Sequence, residues 1–371
     1  MNFIFYIFYL PTDYFSFSIS LYILTILGFI IASTVTYFAI PILVKGAVYK
    51  GLYAETNSRV SHKKPIPAIG GVGVFAGFIL STTVVAGAYF KFELSYLITG
   101  LIVIFIVGLK DDLMGGKPWK KLLGQIIAVL IICLLADIRI TSFRGFLGIW
   151  EIPFLLSLVL TVFSLVVIIN GINLIDGIDG LASGIGIIAS CVLGCWFYVT
   201  GNIACTVMCS ALAGSLFIFF LFNVFGQKNK IFLGDTGSLT SGLILGILAV
   251  RFLQLEPSAK GFASIYSAPA FAVSLFILPF FDTLRVFIIR IGQHKSPFSA
   301  DHQHIHHRLL ELGFSHFQST MILLSVNLIF ILLCYLFQGL GNVLLITIQF
   351  VFSTILSYYL LLQTKKKKKR N

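Results

Sequence analysis

F-L-L-S-L-V-L-T-V-F-S-L-V-V-I-I-N-G-I-N-L-I-D-G-I-D-G-L-A-S-G, residues 154–184, passes from an almost wholly apolar run into Asn170, Asn173, Asp176 and Asp179, each three residues from the last. On a helical or 3₁₀-like backbone that spacing brings all four polar side chains to one side. The glycines at 171, 177, 180 and 184 would each weaken a plain helix by about 1 kcal/mol, so they point to close backbone approach to something bound. A helix-ending turn with solvated acids would give a similar string once. Here the arrangement recurs at two other apolar helix ends, around Asp111 and Asp235.

The surrounding chain sets the solvent. Of 371 residues, 58% are hydrophobic and 11% charged, and mean hydropathy is +1.00. A soluble domain cannot hide that much apolar surface, so an all-α integral membrane protein is expected. A spanning helix takes about 20 apolar residues. Eleven segments are expected to span, with ten as the alternative: about 18–44, 69–90, 95–109, 122–138, 154–170, 181–200, 203–223, 238–255, 266–291, 320–338 and 341–362. They form one polytopic domain, 18–362, between an extracytoplasmic lead-in at 1–17 and a basic tail at 363–371. The lead-in lacks a basic start and a small-residue cleavage site, so it reads as uncleaved.

Charge gives the orientation. If the loops are counted so that the C-terminal tail lies on one side, that side holds 21 of the 26 Lys and Arg residues. The C-terminus is then expected in the cytoplasm and the N-terminus outside. The net charge of +12 is a topology signal, with the Lys365–Arg370 run set against anionic membrane lipids. Nucleic-acid binding is not expected, because it would want that charge on a soluble domain. The six cysteines all fall inside expected spans, where small apolar packing accounts for them better than a disulfide or a metal.

The remaining polar stretches lie on the same expected cytoplasmic side. The first loop carries Arg59, His62, Lys63 and Lys64 before Pro65 and Pro67, and is either a plain positive-inside loop or a holder of an anion. At 108–121, Asp111 and Asp112 follow an apolar span directly, with Lys110, Lys117, Lys120 and Lys121 nearby. Adjacent carboxylates at a membrane boundary repel unless a cation or proton intervenes. At 232–238, Asp235 lies between Gly234 and Gly237, three residues after Phe232. Asp282 and Arg285 are spaced for an intrahelical ion pair. The last loop holds His302, His304, His306 and His307 beside Asp301 and Arg308. Its spacing is neither a helical zincin pair nor a finger pattern, so a phosphate contact suits it better than zinc.

Five of the 14 Asp and Glu residues (Asp111, Asp112, Asp176, Asp179, Asp235) thus stand at helix ends on one side. An ion pathway would spread them through the bilayer; clustered, they suit a meeting of a cytoplasmic solute with a membrane-confined one. Carboxylates with cationic residues, and no nucleophile pattern or nucleotide loop, suit phosphoryl transfer between two anions bridged by Mg²⁺. A transporter or lipid flippase holding a lipid phosphate is the alternative from another class.

Taken together, D-D at 111–112, N-x-x-N-x-x-D-G-x-D-G-L at 170–181, G-D-T-G-S at 234–238 and H-I-H-H-R at 304–308 resemble the polyprenyl-phosphate N-acetylhexosamine-1-phosphate transferase family. The resemblance covers about residues 18–362. The H-I-H-H form looks like the bacterial branch that uses UDP-GlcNAc more than the muramyl-pentapeptide translocase. The resemblance implies undecaprenyl phosphate and a UDP-N-acetylhexosamine as substrates, a bacterial cytoplasmic membrane location and, as a further possibility, a homodimer. It implies Mg²⁺, with Mn²⁺ as a substitute, on Asp235, with Asp111 and Asp112 orienting or deprotonating the lipid phosphate and sharing the metal. Asn173, Asp176 and Asp179 would contact the nucleotide and Phe232 would stack on uracil. Lys121, His304, His306, His307 and Arg308 would bind the diphosphate or the sugar. Asn170 receives no firm role.

Overall fold

The computed structural model describes residues 14–51, 66–89, 93–146, 148–255, 264–292 and 304–370. Arg59, His62, Lys63, Lys64, Pro65, Asp301 and His302 lie outside the described residues. Among the described residues thirteen α-helices and one hairpin follow in order: α1 (Tyr14–Lys50), α2 (Gly70–Ala86), α3 (Glu93–Met114), α4 (Pro118–Leu135), β1 (Ser142–Phe146), β2 (Ile149–Glu151), α5 (Phe154–Ile175) and α6 (Leu181–Val199). Then come α7 (Ile203–Phe225), α8 (Gly234–Leu255), α9 (Ala268–Leu275), α10 (Ile277–Gly292), α11 (Ile305–Glu311), α12 (His316–Leu336) and α13 (Asn342–Arg370).

Every apolar stretch read as a span is helical, but the count differs from eleven. Among the described residues eight helices are long and apolar enough to cross a membrane, or nine if α9 and α10 form one bent span. At 17 residues α2 is shorter than such a helix. Residues 14–17, expected in the lead-in, already belong to α1, and the basic tail continues α13 to Arg370.

Helix α8 is the centre. In its apolar window 78% of residues are buried, against 28% for α1 and 22% for α13, which puts α8 inside the bundle and the other two at its rim. Apolar side chains give helices no net drive to associate in lipid, so close packing has to come from small residues. The α8 start supplies them: a Cβ on Gly71 of α2 would stand 2.0 Å from the Gly237 nitrogen, and one on Gly108 of α3 2.6 Å from Thr236 Cα. Three helices therefore meet backbone to backbone around Asp235.

The stretch expected as one span at 266–291 bends by 77° between α9 and α10. Pro279 has no N–H to offer the carbonyl four residues back. That carbonyl, on Leu275, accepts instead from Asn327 Nδ2 of α12 at 3.3 Å.

An all-α reading missed the hairpin. β1 and β2 pair antiparallel with Ser142 opposite Glu151 and Phe146 opposite Ile149, and Gly145 and Gly148 take positive φ. It joins the end of α4 to the start of α5, at the opposite end of the bundle from the Asp111, Asp176 and Asp235 helix ends. The six cysteines are free thiols.

Candidate functional site

Four helix ends build the site. Asp111 comes from the last turn of α3 and Lys121 from the first turn of α4, two helices joined by a three-residue turn. Asn173 is in the last turn of α5, and Asp235 is in the first turn of α8, which begins four residues earlier than the sequence suggested. The Lys121 ammonium bonds the Asp235 carboxylate and reaches Asp111 Oδ2 at 3.4 Å and Asn173 Oδ1 at 3.5 Å. Asn173 Nδ2 donates to Asp235 Oδ1 at 2.5 Å and to Ser238 Oγ at 2.8 Å. Oxygens from three helices thus surround a single positive charge supplied by a fourth.

The adjacent acids divide. Asp111 faces Asp235, and its hydrogen bond to that carboxylate pushes its carboxyl up to about 6. Asp112 turns to the α8 N-terminus, accepting from the Asp235 and Thr236 N–H groups at 2.7 and 2.8 Å and from the Thr236 hydroxyl at 2.5 Å. Burial pushes this carboxyl up to about 6 as well, and those donors pull the other way. A carboxylate there satisfies orphan donors and complements the helix dipole. Both Asp112 oxygens are engaged in capping. Asp112 thereby fixes the turn that presents Asp235.

Asp176 caps the C-terminal end of α5, and its carboxyl is raised by burial and then by the charges of Asp235, Asp112 and Asp179. Asp179 is held by Lys230 Nζ at 2.6 Å, and its carbonyl accepts from Thr320 Oγ1 at 2.7 Å. Its carboxylate thus ties the α5–α6 turn to the segment before α8. Phe232 lies in that segment, its N–H donating to Pro67 O at 2.8 Å and its carbonyl accepting from Gly70 N at 2.9 Å.

The histidines form a second layer around α11. His304 and His306 stack parallel, 5.6 Å apart, and the His307 ring is 4.3 Å from His306. His306 is 2% exposed, and a Cβ on Gly177, next to Asp176, would stand 2.6 Å from its Nε2. Burial lowers His306 to about 3, so the ring is neutral. Among the described residues its Nε2 and the Arg308 Nε are buried without a hydrogen-bond partner.

Several pairings escaped the sequence reading. Ser238 and Thr236 hold Asn173 and Asp112. Gln125, one turn after Lys121, exchanges amide hydrogen bonds with Asn170 at 2.7 and 3.2 Å, which gives Asn170 its place. Asn223 accepts from Gly180 N at 2.7 Å and donates to Ile231 O at 2.9 Å. The Asp282–Arg285 pair is present at 2.9 Å, and Asp282 also holds His304 Nδ1 at 2.8 Å. The Asp282–Arg285 pair is the one that spacing announced; local pattern carries no trace of Gln125 with Asn170 or Asp282 with His304, because those partners are far apart in sequence.

Among the described residues no group of three or more His, Cys, Asp and Glu side chains is arranged to hold a metal. The set that does converge is two carboxylates and an amide oxygen. These are hard oxygen donors, suited to Mg²⁺ or Mn²⁺ completed by water or substrate phosphate. They already surround an ammonium, so they fit a small cation.

Buried acids, a lysine and amides thus gather at one end of an apolar helical bundle with helices long enough to cross a membrane. Residues 94–253 match the model described as Glycosyl transferase family 4, and this stretch contains Asp111, Lys121, Asn173, Asp176 and Asp235. The chain is 29% identical over 284 residues to the undecaprenyl-phosphate alpha-N-acetylglucosaminyl 1-phosphate transferase of Yersinia pestis, covering 75% of each chain. It is 29% identical over 315 residues to a protein of Bacillus subtilis named "probable undecaprenyl-phosphate N-acetylglucosaminyl 1-phosphate transferase", covering 82% of each. The activity named for these relatives is that of the family the four motifs resemble, and the chain is an enzyme of the glycosylphosphotransferase class.

Proposed function

We propose that the protein transfers N-acetylglucosamine 1-phosphate from UDP-N-acetylglucosamine to undecaprenyl phosphate and releases UMP, at the cytoplasmic face of a bacterial cytoplasmic membrane. The observation that carries this reading is the convergence of Asp111, Lys121, Asn173 and Asp235 on one point at the end of an apolar bundle. The activities named for the relatives support it, and the charge distribution supports the orientation.

In the reaction an oxygen of the lipid phosphate attacks the β-phosphorus of the donor. The new P–O bond forms as the bond to the bridging oxygen breaks, and UMP leaves with that electron pair. Asp111, Asp235 and the Asn173 oxygen would hold Mg²⁺ or Mn²⁺, which supplies charge neutralisation between the two anionic substrates. Lys121 adds a fixed positive charge beside the same oxygens. The lipid phosphate already loses its second proton near neutral pH, so Asp111 orients it more than it deprotonates it. Asp112 keeps the α8 turn, and with it Asp235, in position. Asn173 and Asp176 meet the nucleotide at the α5 end, and Asp179 holds the turn through Lys230. Phe232 stacks on uracil, while His304, His306, His307 and Arg308 set the sugar and diphosphate side.

Purified protein in lipid nanodiscs, given UDP-N-acetylglucosamine, undecaprenyl phosphate and Mg²⁺, should release UMP and yield a diphosphate-linked lipid by mass. A panel of other UDP-N-acetylhexosamines reads donor choice. Folded protein that releases no UMP with any donor, or that works fully in EDTA, refutes the reading.

A further inference from the structure

Asp282 lies in α10, on the bent pair of helices, and nothing in the motif set assigns it a task. It is 4% exposed and has three partners. Oδ2 pairs with His304 Nδ1 at 2.8 Å; Oδ1 accepts from the Ile305 N–H at 3.1 Å and from Arg285 Nη2 at 2.9 Å. An intrahelical ion pair with Arg285 would need only one of those bonds. The other two run to the first residues of the histidine helix. A buried carboxylate facing Nδ1 makes that nitrogen the protonated one, which leaves Nε2 as the free face of the ring.

The contacts continue beyond His304. Its ring stacks on His306 with an interplanar angle of 4°, and His306 Nε2 is directed at the Gly177 backbone beside Asp176. The freed Leu275 carbonyl, held by Asn327, sets the bend that carries Asp282 to this position.

The geometry points to Asp282 as a positioning residue: it fixes the ring orientation and tautomer of His304, and through the stacked His306 it sets the α5–α6 turn that carries Asp176. This rests on the function proposed above for its kinetic consequence. Its structural content, the His304 tautomer, does not.

The test therefore has two arms. Nitrogen-15 spectra of histidine-labelled protein in nanodiscs, assigned with His304→Ala, read the tautomer whether or not any substrate turns over. The native protein should show His304 protonated at Nδ1, and Asp282→Asn should move that signal to the Nε2-protonated form. An unchanged His304 signal overturns the proposal. In the kinetic arm Asp282→Asn should lower kcat/KM by about 10- to 100-fold, the range for losing the carboxylate behind a working histidine. The same change made on a His304→Ala background should add less than about 2-fold, because Asp282 acts through that ring. Losses that multiply in the double variant overturn the proposal. If Asp282→Asn does not insert, Asp282→Glu retains the charge beside Arg285 while displacing the oxygen. It should then show both the altered signal and a partial kinetic loss, and native behaviour in both overturns the proposal. A native protein that releases no UMP while its His304 signal behaves as expected defeats the function proposed above and leaves the tautomer assignment standing.

Discussion

The two ends of the helical bundle both carry ion pairs, but of different kinds. At the hairpin end, Arg139 pairs with Asp137 and Arg251 with Glu93, and the acids are 77% and 50% exposed. At the other end, Asp111, Asp235, Asp179 and Asp282 are between 5% and 23% exposed. Asp111 and Asp235 turn toward a common point. Exposed pairs are screened and contribute little. Buried acids at a membrane boundary cost free energy to maintain and are functional candidates by default. Burial and direction separate the two ends.

That contrast can be broken by substitution. Asp235→Asn removes the charge that Lys121 and Asn173 converge on, and UMP release should fall by at least about 10³-fold. Helicity and insertion should remain, as read by circular dichroism and membrane fractionation. Retention of a tenth of native turnover would contradict the assignment. A smaller effect is expected from pH. Asp111, raised to about 6 by its bond to Asp235, takes up a proton as pH falls through that value, and a protonated carboxyl is a poor ligand. Mn²⁺ affinity should therefore drop about 10-fold per unit below pH 6. Calorimetric titration across that range checks it, and a flat profile contradicts it.

Thr236→Val sharpens the comparison in a different way. It deletes the hydroxyl that bonds Asp112 and leaves the two backbone donors, so stability should fall by about 1 kcal/mol in an unfolding titration. Unchanged stability would mean that the backbone donors alone hold Asp112. At the hairpin end, Asp137→Asn and Glu93→Gln should each change stability by no more than about 0.5 kcal/mol and leave turnover alone. A tenfold loss of turnover from either would erase the distinction between the ends.

The sequence made the main site residues visible for a physical reason. Asp111, Asn173, Asp176 and Asp235 interrupt apolar helices in glycine-rich settings, and in lipid such interruptions need a cause. The division of labour between Asp111 and Asp112 was not visible, because both follow the same span and only the arrival of α8 separates them. Pairings such as Gln125 with Asn170 or Asp282 with His304 join residues more than 20 apart in sequence, and composition does not record them. The hairpin had a signal, Gly145 and Gly148 between apolar residues, which the surrounding hydropathy masked. The number of spans was less legible, because apolar length alone does not distinguish a short helix such as α2 from a full crossing.

The central claim is that carboxylates of α3 and α8 share one divalent cation. Electron paramagnetic resonance of Mn²⁺ titrated into the purified protein without substrate tests it most directly. One bound ion is expected in the native protein, with weakened binding in both Asp111→Asn and Asp235→Asn; native affinity in either variant would contradict the claim.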